Sequence, residues 1–288
     1  MKLYRAILYR IRPFQGFLMI KIFSYVFFID FLSFESRNAI AKEKIIKFSS
    51  NKGRALDFKL FNTGDKPYCR NEILGIHVYN YCYDLSIEKD SGKRSVFPCF
   101  LFSHWKETGV ENYDIYCRKL FEIRSQPINE KVIWRGAETN VSRKKLLKFD
   151  DDINFDFKSI DWKKKSPESD LPLNFLTLED QVRNSRFLID VEGAGYSARA
   201  KLLMFCPRVL LIQEQKLREF WFEGLEPWKN FVPIDKDFSN LKQTVSKLLS
   251  EPKLEAQILN NQREFALNNL TNLAADRVWL NLMNGTSK

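Results

Sequence analysis

Gly193, Ala194 and Gly195 come just after a short apolar run at residues 187–189 that ends in Asp190-Val191-Glu192, and Ser197 and Arg199 follow at once. These residue types suit an anion. Glycines let the backbone approach a ligand closely. A serine hydroxyl adds one donor, and arginine adds a fork of donors that is charged at neutral pH. The same order occurs earlier, where a run at 132–134 leads into Arg135-Gly136, with Thr139 and Arg143 beyond. Two such turns could grip one diphosphate from two sides. The plainer reading of each is a glycine turn beside a surface arginine.

To act on a ligand, such a turn has to sit at the carboxyl end of a strand, where open α/β sheets bind their ligands. The flanking residues supply that setting. Residues 187–189 read as a strand, 198–205 have helical composition, and 209–212 read as the next strand, which is the βαβ order of a parallel sheet. Around the first turn, 132–134 read as a strand and 142–148 as a helix carrying Arg143, Lys144 and Lys145. Upstream, 73–87 are rich in β-formers with Asp84 near the end, 89–93 read as a turn, and 96–102 read as a buried strand leading to Ser103-His104-Trp105. Residues 112–124 have helical spacing, marked by Ile115, Leu120 and Ile123. Pro127 within 125–130 suggests a linker between two lobes, and the charged stretch 150–170 reads as a loop. Thr177 with Asp180 forms a capping signature for a helix over 176–183, and 238–249, 254–269 and 271–279 read as further helices.

The chain has 288 residues, 44% of them hydrophobic, enough for one large domain or two ordinary ones. Its net charge of +10 favours an anionic partner. The basic residues are spread along the chain and no nucleic-acid motif occurs, so nucleic acid is not expected as a partner. Five dispersed cysteines without a CxxC pair indicate neither a disulfide framework nor a zinc site, and fit a reducing compartment. The first 50 residues are basic and apolar, with Lys21 and Asp30 interrupting the run at 17–34, so a transmembrane helix is not expected. Two readings stand for this segment. One is a membrane-surface helix with Arg5, Arg10, Arg12 and Lys21 at anionic headgroups; the other is a pair of helices packed on the protein's own core. Residues 45–54 read as a connection.

Three stretches resemble glycosyltransferase family 90: Val-Phe-Pro-Cys-Phe-Leu-Phe-Ser-His-Trp at 96–105; Trp134-Arg135-Gly136 with Thr139, Arg143 and Leu146; and the run 190–234, with Gly193, Ser197, Arg199, Lys201, Leu225-Glu226-Pro227-Trp228 and Phe231-Val232-Pro233. The likeness covers roughly residues 70–280 and leaves the first 60 outside it. It implies an α/β, GT-B-like fold of two Rossmann-like lobes with the active site in the cleft between them. The expected division is an N-terminal segment over 1–50, an acceptor-side lobe over 51–126, a UDP-sugar-binding lobe over 127–270, and a C-terminal helix and tail over 271–288. Carried over by position, Arg135, Gly136, Thr139, Arg143, Gly193, Ser197 and Arg199 would hold the donor. Asp84, a little over a dozen positions before Pro98, would be the catalytic base, with His104 as its rival. The sequence departs from many relatives at Gln213-Glu214-Gln215-Lys216-Leu217, where an acidic residue and a tryptophan are common.

The implied reaction is inverting, metal-independent transfer of a hexose from a UDP-sugar to a hydroxyl of a lipopolysaccharide or lipooligosaccharide inner-core sugar, with no cofactor beyond the donor. The alternatives are a UDP-xylose- or UDP-glucose-dependent transferase acting on capsule polysaccharide or protein, and a basic anion- or membrane-binding protein without catalysis. Asp150-Asp151-Asp152 could instead be read as a carboxylate metal site, although acidic triplets are usually solvated. With no evident signal peptide and no retention tetrapeptide, the expected location is the cytoplasm, at the inner face of a bacterial inner membrane, with peripheral contact to anionic lipid.

Overall fold

Dense runs of aromatic and β-branched residues fit a pleated, buried surface, and the chain uses them as strands from its N-terminal part onward. The computed structural model describes residues 17–22, 25–30, 35–49, 59–67, 72–73, 76–86, 95–149, 152–167 and 170–284. It divides into two units. One comprises the chain up to Tyr113 with Leu217–Phe222 and the segment from Asn272; the other comprises Asp114–Lys216 and Glu223–Thr271.

In the first unit, β1 (Phe17–Ile22) pairs antiparallel with β2 (Tyr25–Asp30). Helix α1 (Glu35–Ser49) follows, then β3 (Lys59–Asn62), β4 (Glu72–Ile73), β5 (Ile76–Asn80) and the short β6 (Tyr83–Asp84). The sheet order is β1-β2-β3-β5-β4, with β2, β3 and β5 parallel to one another. Three expectations are corrected here. Residues 17–22 and 25–30 are strands, not a membrane-surface helix or a helix pair, because their Phe, Ile, Val and Tyr content extends and pairs; Arg5, Arg10 and Arg12 lie outside the described residues. Residues 45–49 end α1 and are not a connection, since Arg37, Ile40, Ala41 and Ile45 are buried at helical spacing. Residues 96–102 make only a bridge from Val96 to Asn80 and then a 3-10 turn at Phe100–Phe102, because Pro98 has no N–H to give a ladder. The turn expected at 89–93 lies outside the described residues.

Helix α2 (Tyr113–Glu122) leads into the second unit. There follow β7 (Asn129–Gly136), α3 (Val141–Leu146), β8 (Phe155–Ser159), β9 (Asp161–Lys165), β10 (Pro172–Leu173), α4 (Leu178–Asn184), β11 (Ser185–Asp190), α5 (Ala200–Leu203) and β12 (Val209–Gln213). Strand β13 (Leu217–Arg218) pairs with β6 in the first unit's part of the chain; β14 (Val232–Ile234), α6 (Leu241–Ser250) and α7 (Pro252–Asn269) complete the second unit, and α8 (Asn272–Asn284) belongs again to the first. The main sheet has the order β14-β12-β11-β7-β8, parallel throughout. Trp134, Phe157, Phe187, Ile189 and Leu211 pack in one core with Leu241, Val245 and Ile258 from α6 and α7. Leu188 and Leu210, which alternate with them, are buried as well, so these strands read as unbroken apolar runs.

The loop expected over 150–170 holds β8 and β9 instead. Phe155 and Phe157 alternate inward against the core, and the sheet edge recruits a segment whose overall charge suggests a loop. The helix expected over 198–205 is shortened to α5, because Pro207 disfavours helical backbone at Cys206 before it. Thr177 caps α4 as its sequence indicates, its hydroxyl accepting from the Asp180 amide at 3.1 Å. Among the described residues no helix is long and apolar enough to cross a membrane.

The strand order gives the second unit a switch point. The chain runs from β7 to β8 on one side, then returns to lay β11, β12 and β14 on the other. Sheets of this kind bind ligands outside the carboxyl ends of the two strands where the order reverses, here β7 and β11.

Candidate active site

Both glycine turns leave the sheet at that switch point. Trp134, the third residue from the end of β7, is fully buried and forms the floor. A Cβ on Gly136 would sit 2.7 Å from Trp134 Cζ2, so only glycine lets the chain turn over the indole. The guanidinium carbons of Arg143 and Arg199 lie 5.5 and 6.0 Å from the Trp134 ring centroid, within cation–π range.

Two side chains from α3 and its cap tie one turn to the other. Asn140 caps α3 by accepting from the Arg143 amide at 3.0 Å, and its Nδ2 donates to the carbonyls of Glu192 (2.8 Å) and Gly193 (2.7 Å). Arg143 donates through Nη1 to Ala137 O at 2.9 Å in the first turn, and through Nε and Nη2 to Glu192 O (3.2 Å) and Val191 O (3.3 Å) in the second. Arg199 closes the loop from the other direction, its Nη1 donating to the Arg135 carbonyl.

Asp190 ends β11 with no solvent exposure. It accepts from Ser197 Oγ at 2.7 Å and Gln215 Nε2 at 2.6 Å, and its Oδ1 lies 3.8 Å from Arg199 Nε. Burial, and then the charge of Arg199, pull the Arg143 guanidinium down to about 10, and Asp190 opposes that shift. Burial lowers Arg199 in the same way, again opposed by Asp190. Two guanidiniums thus share one carboxylate in a poorly hydrated place. Two cations against one carboxylate favour added negative charge there.

The structure brings Gly136, Arg143, Gly193, Ser197 and Arg199 together. Arg135 is 5% exposed and points elsewhere: Nη2 bonds both Asp156 carboxylate oxygens at 2.8 Å and Nη1 bonds the Asp156 carbonyl at 2.8 Å, tying β7 to β8. Its carbonyl, not its guanidinium, meets Arg199. Thr139 is exposed on the first turn, its amide donating to Ala137 O at 2.9 Å. Asp84 belongs to the first unit. It is 7% exposed at the end of β6, and its Oδ1 accepts from the Ser86 amide (2.9 Å) and hydroxyl (2.6 Å). His104 Nδ1 lies 3.1 Å from Ser103 Oγ. Asp152 pairs with Lys242 at 2.8 Å and accepts from the Asn154 amide at 2.9 Å, which together hold its carboxyl below the usual range; Asp150 and Asp151 lie outside the described residues.

Sequence reasoning missed Asn140, Asp190 and Gln215 as site residues. Asn140 carried a signal, as a helix-capping residue type placed directly before α3. Asp190 and Gln215 carried only a position, each just at or beyond the end of a buried strand.

Two α/β units, the second with an anion-suited switch point in an all-parallel sheet, define a GT-B-like glycosyltransferase architecture. The chain belongs to glycosyl transferase family 90, whose profile matches residues 18–288 and so reaches further toward the N-terminus than the motifs alone suggested. It is 23% identical over 191 residues to Protein O-glucosyltransferase 1 of Mus musculus, covering 63% of this chain and 48% of that protein. It is 27% identical over 138 residues to the O-glucosyltransferase rumi homolog of Anopheles gambiae, covering 44% of this chain and 34% of that one. The chain thus spans about half the length, or less, of these curated relatives. A sucrose-phosphate synthase from Thermosynechococcus elongatus is similar in structure, with a TM-score of 0.49 and 10% identity over 84% of this chain and 71% of that one.

Proposed function

We propose that this protein transfers a hexose from a UDP-sugar to an acceptor hydroxyl with inversion. The observation that supports this most is the clamp at the switch point, where Asn140 and Arg143 hold two glycine turns together and Arg143 and Arg199 both lie over the Trp134 ring. In this reading Arg143, Arg199, Ser197 and the turn backbones hold the donor diphosphate. As the glycosidic bond breaks, the leaving UDP gains charge, and the two guanidiniums stabilise it; removing one such donor typically costs about 10²–10³ in rate. Asp84 takes the acceptor proton, a role worth about 10²–10⁴. The favoured acceptor is an inner-core sugar of lipopolysaccharide or lipooligosaccharide, and the work is done at a cytoplasmic membrane face. A second reading, glucosyl transfer to protein, is supported by the names of the curated relatives, which are protein O-glucosyltransferases.

The test is UDP release by purified protein in EDTA, across UDP-hexoses and UDP-xylose, with truncated lipopolysaccharide or a folded protein acceptor, and with Arg199→Ala as control. Acceptor-dependent release from one donor, lost in the control, supports the proposal and names the sugar. No turnover with any pair, together with no UDP binding, would sink it.

A further inference from the structure

At the opposite end of the same sheet lies a second concentration of guanidinium groups. Residues at the amino ends of β7, β11 and β12, together with one face of α7, line a cavity of about 560 Å³, within the range of small-ligand sites. Four arginines face it, Arg124, Arg186, Arg208 and Arg263, against two carboxylates, Glu130 and Glu255. Both carboxylates are used by one arginine: Arg186 Nη2 lies 2.5 Å from Glu255 Oε2 and its Nη1 pairs with Glu130.

Among the described residues, the other three donate their hydrogen bonds to backbone carbonyls. Arg208 is 8% exposed and bonds the carbonyls of Val182, Ser185, Pro207 and Ser125 at 2.7–3.0 Å. Arg263 stacks on Phe121 at 3.8 Å and donates to its carbonyl at 2.6 Å, and its buried Nε meets no acceptor. Arg124 donates to the same carbonyl at 2.8 Å. Carbonyls satisfy N–H groups and leave the charge in place. Burial lowers Arg208, a shift that Glu255 partly opposes, and burial and then the charge of Arg124 lower Arg263, as expected of cations crowded in a poorly hydrated place.

We propose that this cavity is an accessory site for a phosphate group, with Arg124, Arg208 and Arg263 as its ligands. Four guanidiniums against two carboxylates leave a net excess of two positive charges, which matches a dianion, and planar guanidinium forks fit its oxygens. The site is separate from the donor clamp. It lies at the amino ends of strands whose carboxyl ends carry the glycine turns, and the six residues of β11 at about 3.3 Å each place the two ends roughly 17 Å apart. The phosphate could belong to a soluble ester or to a lipid headgroup, which share this chemistry.

The experiment titrates inorganic phosphate against the full chain by calorimetry at fixed ionic strength, using Arg199→Ala, Arg124→Gln and Arg124→Gln/Arg263→Gln proteins. Arg124 is exposed, so its single variant folds even if the double variant does not. Binding retained in Arg199→Ala and weakened about tenfold in Arg124→Gln, the loss of one charge-assisted bond, is the expected result. Cosedimentation with phosphatidylcholine vesicles, with and without phosphatidic acid, then separates a lipid source from a soluble one. Binding abolished in Arg199→Ala but unchanged in Arg124→Gln, or no binding by any of these proteins, would overturn the proposal.

Discussion

The side-chain amide of Asn140 donates to the carbonyl of Gly193 at 2.7 Å, so the residue that caps the helix after the first glycine turn also holds the second. Replacing Asn140 tests both roles. Asn140→Ala should lose about 1 kcal/mol for the cap alone, plus the bonds to Glu192 and Gly193. Asn140→Asp keeps the cap oxygen but loses the donor, so it should bind UDP weakly while unfolding at a urea concentration closer to wild type. Equal UDP affinity in Asn140→Asp and wild type would show that the link between the turns does not shape the site. The same bonds bear on Asn140-Val141-Ser142, which has the N-x-S/T pattern of a glycosylation acceptor: an attached glycan would break them, so mass spectrometry of the folded protein should find this asparagine unmodified.

Gly136 and Gly193 should fail differently when changed to alanine. At Gly136 the added Cβ meets a buried indole 2.7 Å away, and overpacking of that kind costs about 1–3 kcal/mol. At Gly193 it meets Arg143 Nη2 at 3.1 Å, the end of a flexible side chain that can move aside. Gly136→Ala should therefore lower the unfolding midpoint, and Gly193→Ala should weaken UDP binding with little change in stability. Thermal melts with calorimetric UDP titration separate the two.

Asp190 is the carboxylate on which the site's charge balance rests. Asp190→Ala removes the buried carboxylate that opposes the lowering of Arg143 and Arg199, and breaking a buried pair in this way costs about 3–5 kcal/mol. We expect poor folding that UDP partly rescues, read as a larger ligand-induced rise in melting temperature than wild type shows. Identical melting of the variant and wild type would mean that Asp190 does not hold the arginines.

The pH dependence follows from Arg143. Its folded value of about 10 lies below the ordinary arginine value, so the folded protein gives up this proton first as pH rises. Between the two values the unfolded chain binds more protons, and this group's contribution to stability rises with pH. Anion binding needs the charged form, so UDP affinity should hold through neutral pH and fall as pH approaches 10. In Arg143→Gln, affinity is lower throughout and that particular fall disappears. A wild-type profile that stays flat through pH 10 would contradict this assignment.

Asp84→Asn should separate chemistry from donor binding. Turnover is expected to drop about 10²–10⁴ while UDP affinity stays unchanged. If turnover survives and His104→Gln abolishes it, the histidine is the base.

Much of the second unit was legible in the chain. The runs at 132–134, 187–189 and 209–212 became β7, β11 and β12, because strands buried on both faces are apolar without interruption. The N-terminal strands and β8 were not legible. Periodicity does not separate an apolar helix from a strand over 17–30, and β8 depends on a sheet edge that only the folded unit supplies.

By itself the sequence determined the residue types at the two turns and the strand-turn-helix order that carries them, since glycine, hydroxyl and guanidinium chemistry is local. Only the tertiary structure decided which arginines gather at the switch point. Arg135 sits in a turn as promising as that of Arg199, yet Asp156, on the neighbouring strand and 21 residues away, takes its guanidinium. Arg143, in the helix beyond, reaches across to the second turn instead. A long cationic side chain goes to the acceptors that packing brings within reach, and for each of these three arginines at least one of them lies on a segment remote in sequence.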